Sequence, residues 1–356
     1  LTEFAPGATF YARGQKVKVN ALEPGAVNNP NWRRRRLCPS CGWGADDAAP
    51  VAACPRCGDS AIADIGAVHQ VLPFREASAE HSRDEVLIDD EGEDRVRRRY
   101  STVTSVDIET ADVVTAWRLR DMAFGAEYAN RAVVRALNLG TVTDQGTTVS
   151  IAGERRVKTA FRTCTACGTW WDEGKELETV RHRGWCPTRK GVLPVWEDLV
   201  LSHELVTQVV RVLLPVSVFE HTEHLVAMKG ALLLGLRADF GGDPQHLDVV
   251  TASMRDSAGR PRRFIVLHDT VPGGTGYLDR IGDPARLHDI LTKARTQLAA
   301  CRCRTEARKA CHRCLLSVLG GSEIEVADRA LAVRLLDEAL SAWDVEPVAT
   351  VADIDI

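Results

Sequence analysis

Eleven cysteines fall into three groups along the chain. The first is Cys38-Pro-Ser-Cys41, twelve residues, then Cys54-Pro-Arg-Cys57, with Gly42 and Gly58 directly after the two pairs. A Cys-x2-Cys turn puts two thiolates on one tight loop. The glycine relaxes the backbone, and neighbouring amides can face sulfur. Two such turns supply four sulfurs for a tetrahedral zinc site. Two structural disulfides are the alternative, and the lack of a stretch that reads as a secretory signal weighs against them. The last group is Cys301-Arg-Cys303, seven residues, then Cys311-His-Arg-Cys314. Four-sulfur ligation of zinc is expected there too, with His312 as the alternative for one ligand. Arg302, Arg304, Arg308, Lys309 and Arg313 would offset the charge of a four-thiolate centre, or hold a phosphate. The middle group is Cys164-Thr-Ala-Cys167 with Cys186, and His182 lies four residues before Cys186. His182 completes a Cys3His set. Against that reading stand a buried Cys186 thiol, a surface His182 and no metal. The three sets use every cysteine in the chain, and each has the closed composition of structural zinc.

Other residues could do chemistry. Arg33, Arg34, Arg35 and Arg36 form one run, and Arg95, Arg97, Arg98 and Arg99 nearly form another. Each is either a solvated loop or a phosphate contact, for which arginine is well suited. The stretch His268-Asp269-Thr270-Val271-Pro272-Gly273-Gly274-Thr275-Gly276-Tyr277 sits between an expected strand and an expected helix. Its glycines Gly273, Gly274 and Gly276 could expose N–H groups to a phosphate. A structural turn is the alternative. The loop is not a Walker A motif, because no Gly-x4-Gly-Lys-Ser/Thr occurs in the chain. It is not the dinucleotide fingerprint either. His268 and Asp269, with His203 or Glu204 if the fold brings them near, could form a small acid–base site. His221 and His224 are read as helix-entry or core residues rather than ligands.

These residues need elements to hold them. Residues 8 to 22 read as a β-hairpin around Arg13-Gly14, and 61 to 74 as extended. Residues 76 to 99 are dense in Glu, Asp and Arg and read as a linker. β-branched runs at 101 to 110, 113 to 119 and 147 to 151 read as strands. A helix is expected near Glu127 to Leu139, from Ala129, Val133, Ala136 and Leu137. Residues 196 to 218 fit a helix period or a strand. Residues 219 to 240 are expected to be helical, with Leu225, Met228, Leu232 and Leu236 on one stripe. A hairpin follows at 246 to 267, then helices at 283 to 300 and 325 to 343. The acidic tail from Val345 is expected to fray. The expected fold class is α+β: a mixed antiparallel β-sheet with packed helices, plus zinc-ribbon and zinc-knuckle modules. The expected domains are 1–76, with the hairpin and first zinc ribbon, a linker at 77–99, a β-rich segment at 100–190 with the Cys3His knuckle, and 191–356 with the last site.

The 356 residues are 45% apolar and 26% charged, which suits globular domains. The net charge of −4 excludes a nucleic-acid coat protein, so any such contact must be local. No apolar run is long enough to span a membrane. A cytoplasmic location is expected. The chain starts at Leu1, and residues 1 to 27 already read as folded, so a continuation upstream is expected.

From about residue 190 to 343 the sequence resembles the zinc-binding C-terminal domain that follows the motor of many bacterial DEAD/DEAH-box helicases. Mitomycin-repair helicases carry it, as does a non-motor subunit of the DISARM phage-defence system. The resemblance rests on Phe264-Ile-Val-Leu-His-Asp-Thr-Val-Pro-Gly-Gly-Thr-Gly-Tyr277, on the cluster ending Cys311-His-Arg-Cys314-Leu-Leu-Ser, and on the amphipathic helix after it. The stretch from Leu1 through the first zinc ribbon looks like the region that joins motor to C-terminal domain. The resemblance implies a non-motor accessory module of a superfamily-two helicase, in DNA repair or phage defence, with no nucleotide on this chain. Its partners would be single-stranded or forked DNA and helicase motor domains, in the same chain or on a separate subunit. The expected DNA contacts are Arg33 to Arg36, Gly273, Gly274, Gly276, Arg302 and Arg304. Two other readings stay open: a zinc-ribbon scaffold that docks a helicase subunit, and a cryptic hydrolase or nuclease.

Overall fold

Leu199, Val200 and Leu201 are adjacent, and all three are buried. Leu199 and Leu201 join Leu22, Leu72 and Phe161 in one apolar cluster. Val200 joins Leu37, Val103, Leu137 and Ile151 in another. Neighbours that bury on opposite sides are the signature of a strand covered on both faces. The computed structural model places them in the strand Trp196–Leu213, which decides for a strand over that part of 196 to 218; residues 216–218 lie outside the described residues. It describes residues 1–12, 15–47, 51–80, 98–172, 176, 180–215, 221–256, 258–306, 308–321 and 323–352.

The chain forms two compact units, Leu1–Ser105 with Arg135–Glu204, and Val106–Val134 with Leu205–Ile356. Three of the described strands, Tyr100–Asp107, Gly125–Thr141 and Trp196–Leu213, contribute residues to both. The units are therefore interleaved, whereas the expected segments 1–76, 77–99, 100–190 and 191–356 run in sequence.

In the first unit the hairpin is present, as Thr9–Ala12 against Gln15–Leu22. Its turn, Arg13-Gly14, lies outside the described residues. Gln15–Leu22 also pairs with Ala77–Glu80, so a strand opens the expected linker. Linker residues 81–97, with Arg95 and Arg97, lie outside the described residues, and Arg98 pairs with Asp172 at 2.9 Å. The arginine run forms the strand Arg33–Leu37, between Gly44–Asp46 and Val68–Pro73. Val68–Pro73 runs parallel to Leu199–Ser202. Residues 60 to 67 are short 3-10 turns, so only the second half of 61 to 74 is extended.

The helix expected at Glu127 to Leu139 is instead part of the strand Gly125–Thr141. Its polar positions explain the error. Glu127 and Arg135, the charged residues that an amphipathic helix would leave in solvent, are both buried. Glu127 accepts from Arg211 at 2.5 Å, and Arg135 donates to Glu204 at 2.6 Å. A strand buried on both faces loses its alternation, so chance helical spacing is left as the only periodic signal.

In the second unit, Leu247–Arg255 and Pro261–Asp269 form the expected hairpin, and Phe264–His268 pairs with Val209–Leu213. The helix Thr222–Phe240 buries the expected Leu225, Met228, Leu232 and Leu236. It packs on the helices Pro284–Ala300 and Arg329–Ser341. A Cβ on Gly235 would sit 2.4 Å from the Ile290 carbonyl oxygen, so glycine sets how closely the first two approach. Asp283 caps Pro284–Ala300 by accepting from Ala285 and Arg286, both at 3.0 Å. The tail is anchored as far as it is described, to Ala352, and its last four residues lie outside the described residues. Val345–Pro347 pairs with Val113–Leu119. The Glu127 carboxylate accepts from the Thr350 hydroxyl at 2.7 Å and the Val351 amide at 2.8 Å.

Glu127 thus satisfies three donors in a dry site. Glu127→Ala is expected to cost about 3–5 kcal/mol by leaving Arg211 buried and unpaired. Thermal unfolding and proteolysis of the released tail check this. A second prediction concerns pH. His69 is buried, and its Nδ1 faces Lys158 Nζ at 3.1 Å. Burial, and then the Lys158 cation, lower His69 to about 4. Its ordinary value is higher, so between about pH 6.5 and 4 the unfolded chain binds the extra proton. Stability should fall through that window as pH drops, by about 3 kcal/mol in all. His69→Gln should flatten that part of the profile in pH-dependent urea melts.

Candidate metal centres

Three Cys-x2-Cys turns share one backbone design. The Gly42 amide donates to the Cys38 carbonyl at 2.9 Å, Gly58 to Cys54 at 2.8 Å and Gly168 to Cys164 at 2.8 Å. In return, the first cysteine of each donates its amide onward: Cys38 to Trp43 at 2.8 Å, Cys54 to Asp59 at 3.0 Å and Cys164 to Thr169 at 2.9 Å. The glycines sit at φ of +75°, +71° and +75°, the left-handed region that side chains avoid. Gly168 was not singled out in the sequence, although Cys-x2-Cys-Gly repeats there a third time. Its site is tight, since a Cβ would fall 1.8 Å from the Leu22 carbonyl oxygen.

The turns bring the expected residues together. The ligand atoms of Cys38, Cys41, Cys54 and Cys57 lie within 4.8 Å of one another. So do those of Cys164, Cys167, His182 and Cys186, and those of Cys301, Cys303, Cys311 and Cys314. Each set comes from two short stretches of chain, and most of its members are buried. His312 is exposed and outside the last set.

Distances separate zinc from disulfides. Cys38 and Cys57 sulfurs are 3.6 Å apart, as are Cys41 and Cys54. In the last set the separations are 3.4 Å for Cys301–Cys303, 3.5 Å for Cys301–Cys311, 3.7 Å for Cys311–Cys314 and 3.8 Å for Cys303–Cys314. A disulfide needs about 2.05 Å. A tetrahedron with zinc–sulfur bonds of about 2.3 Å has edges of about 3.8 Å. In the middle set His182 Nδ1 lies 3.4 Å from Cys167 and 3.6 Å from Cys186, which again fits a tetrahedral edge. His182 also stacks near Trp196, with ring centroids 5.4 Å apart.

Protonation tells the same story. Contact with Cys38 pushes the Cys41 thiol up and pulls Cys57 down. Contact with Cys167 pushes Cys164 up, and the same contact lowers Cys167 to about 3. Burial raises Cys303. Burial would raise Cys311 too, but the Arg313 amide and the neighbouring thiols bring it to about 7. Crowded thiols ionise at one another's expense, and a divalent cation removes that conflict by taking all of them as thiolates. Zn2+ is the cofactor that these donor sets fit. Four protein donors fill each tetrahedron, the composition of a structural site.

The last set lies in a recognisable stretch. Residues 228–315 match a family model described as the MrfA Zn-binding domain. That stretch holds all four thiols of the last set and lies inside the region resembling a helicase-associated domain. It supports the zinc-binding, helicase-associated domain expected there. Among solved structures, the chain is similar to the crystal structure of the DUF1998 helicase MrfA bound to DNA. The identity is 14% and the TM-score 0.37, over 67% of this chain and 26% of that one. The chain therefore spans about a quarter of that protein's length. No curated protein matches it.

The other expected site residues are placed differently. Arg33 donates to the carbonyls of Pro30 and Trp32. Arg34 and Arg36 pair with Asp47 at 2.9 and 2.7 Å. Arg35 pairs with Glu204 at 2.5 Å. In the glycine loop, the Val271 and Thr275 amides donate to Asp269 at 2.9 and 2.6 Å. Gly273 donates to Val206, Gly274 to Val271 and Gly276 to Gln208 Oε1. Asp269 and other groups of the protein thus accept from the amides of this loop. Glu204 is equally engaged: burial would raise its carboxyl, but Arg135 and Arg35 hold it below the usual range. His268 and Asp269 are buried. His221 and His224 pack together at a helix start, with centroids 5.0 Å apart. Arg302 and Arg304, by contrast, flank buried Cys303 and are exposed.

Elemental analysis of the purified chain is expected to give three zinc ions per chain. Cys167→Ser should lower this to two. Chelation should unfold the cysteine loops, with re-metallation restoring the melt.

Proposed function

We propose that this chain is a non-motor accessory module of a superfamily-two DNA helicase, one that grips nucleic acid and braces the motor. The observation that carries the reading is the basic rim of the last centre. Arg302, Arg304, Arg308, Lys309 and Arg313 are all exposed around four thiols, three of them buried, within the stretch that matches the MrfA Zn-binding domain. A closed zinc centre performs no chemistry of its own here. It makes a short, core-poor loop rigid, and a rigid loop can hold guanidinium groups at a fixed spacing for phosphates. DNA is the ligand named for the MrfA structure, and polyanion binding is what the rim would supply.

The other expected contacts carry less of this reading. Arg33 to Arg36 would have to leave internal partners to meet a phosphate. Gly273, Gly274 and Gly276 have no free amide to offer, so we assign their loop a structural role. The motor would lie in the same chain or on a partner. By resemblance the setting is DNA repair or phage defence in the cytoplasm. No helix among the described residues is long and apolar enough to cross a membrane.

Fluorescence anisotropy with duplex, forked and single-stranded DNA tests the proposal. The zinc-loaded chain should bind with affinity that falls steeply with salt. Arg302→Ala with Arg304→Ala should lower the slope of log K against log salt on duplex by up to about 2. Flat titrations at low salt, with and without a motor partner, would sink the reading.

A further inference from the structure

The middle centre carries a feature that metal binding does not explain. Its last two donors, His182 and Cys186, frame three residues, Arg183-Gly184-Trp185. Cys186 is wholly buried, yet the indole just before it is 65% exposed. The backbone that carries Trp185 is held firmly. The Arg183 amide donates to the Cys167 sulfur. The Cys186 amide donates to the Arg183 carbonyl at 2.9 Å, and the Arg189 amide to the Cys186 carbonyl at 3.1 Å. A 3-10 turn, Pro187–Lys190, follows and ends on Gly191 at φ +88°. That turn places Arg189 and Lys190 on the surface. The Arg189 guanidinium passes 3.8 Å from where a Cβ on Gly184 would stand, one residue from Trp185.

Charge is concentrated here. From Val180 to Val195 the chain has Arg181, Arg183, Arg189 and Lys190 and no acidic residue, in a protein of net charge −4. Among the described residues, none of these four cations makes an ion pair. The acidic stretch upstream begins at Asp172, which is already held by Lys18 and Arg98, both at 2.9 Å. Leu193, 86% exposed, extends the apolar surface beyond the cations.

An exposed indole on a hydrogen-bonded backbone, with arginines on either side of it in the sequence, fits one ligand chemistry well. Unpaired bases present π faces and carry a phosphate on each side. Aromatic rings stack on the faces while cations meet the phosphates. Duplex DNA hides those faces in its own stack. We propose that this knuckle is a second nucleic-acid contact, a stacking platform for single strands. Trp185 takes a base face, and Arg181, Arg189 and Lys190 take the flanking phosphates. The proposal rests on the nucleic-acid reading above and adds to it a site on the other compact unit and a preference for unpaired bases.

The test is anisotropy of the full zinc-loaded chain with labelled oligothymidylate and with duplex DNA, alongside zinc content. Trp185→Ala should weaken oligothymidylate binding about five- to hundred-fold, with duplex affinity nearly unchanged and zinc content intact. Trp185→Phe should keep most of the affinity. Arg189→Ala with Lys190→Ala should lower the single-strand salt slope by about 1.4. If Trp185→Ala loses zinc, the phenylalanine variant and the Arg189/Lys190 variant decide alone. Wild-type binding that these surface changes leave untouched, while the Arg302/Arg304 variant weakens it, would overturn this proposal and keep the broader one. The Trp185 and Leu193 surface would then belong to a protein partner. A wild-type chain that binds neither probe removes both.

Discussion

Four thiols cannot share one small, dry volume as four thiolates unless a cation sits among them. That constraint governs the loops of this protein. The described residues between the cysteines of each set form no long helix or strand: turns at Pro39–Cys41, Pro55–Cys57 and Thr165–Cys167, and a short 3-10 turn at Arg302–Arg304. Chain entropy would keep such stretches open. Metal binding gives each a single conformation, and the sheets and helices then have fixed objects to pack against. At the first centre, the Gly42 carbonyl accepts from Arg135 at 3.0 Å, and Arg135 is the same buried cation that holds Glu204. At the middle centre, Leu22 donates to Gly168 at 2.9 Å and Trp170 to Asn20 at 2.8 Å, so the knuckle is stitched to the hairpin strand Gln15–Leu22.

The last centre is built another way. Cys301 follows the helix Pro284–Ala300 directly, and Cys303 and Cys314 are part of the apolar cluster around the helix Thr222–Phe240. No glycine follows Cys303 or Cys314. The Cys-x-Cys half needs no left-handed turn, because the helix end and a short 3-10 turn already set its direction. Removal of metal here would strain a helical core, whereas at the other two centres it would free loops.

What could be read from sequence follows from range. Cysteine spacing is local, and all three donor sets assembled as expected, His182 included. The hairpins and the helices at 222–240 and 284–300 carry their own turn, cap and periodicity signals, so they were legible too. The failures are long-range. The helix expected at Glu127 to Leu139 is a strand whose Glu127 and Arg135 are buried against Arg211 and Glu204, 84 and 69 residues away. The tail looked frayed because its anchor is that same Glu127. The arginine run looked free because Asp47 and Glu204 give no local sign of pairing with it. For the glycine loop the sequence left a structural turn and a phosphate cradle open, and Asp269, which accepts from two of its amides, lies within the motif. Gly168 and Trp185 were readable locally and were passed over: one repeats the Cys-x2-Cys-Gly pattern, and the other is an indole inside a basic run.

Counting cations near a zinc centre is weak evidence for nucleic-acid binding, because the centre needs some of them. Four thiolates around Zn2+ leave two negative charges, so part of the rim at Arg302 to Arg313 serves stability whatever else it touches. The middle centre has a different balance. Three thiolates and a neutral imidazole leave only one negative charge, yet the stretch that carries two of the donors also carries Arg181, Arg183, Arg189 and Lys190. Neutralisation accounts for about one of them. Arg181, Arg189 and Lys190 are exposed and make no ion pair among the described residues, and the indole of Trp185 is exposed as well. A polyanion with stackable faces would use both the charge and the ring.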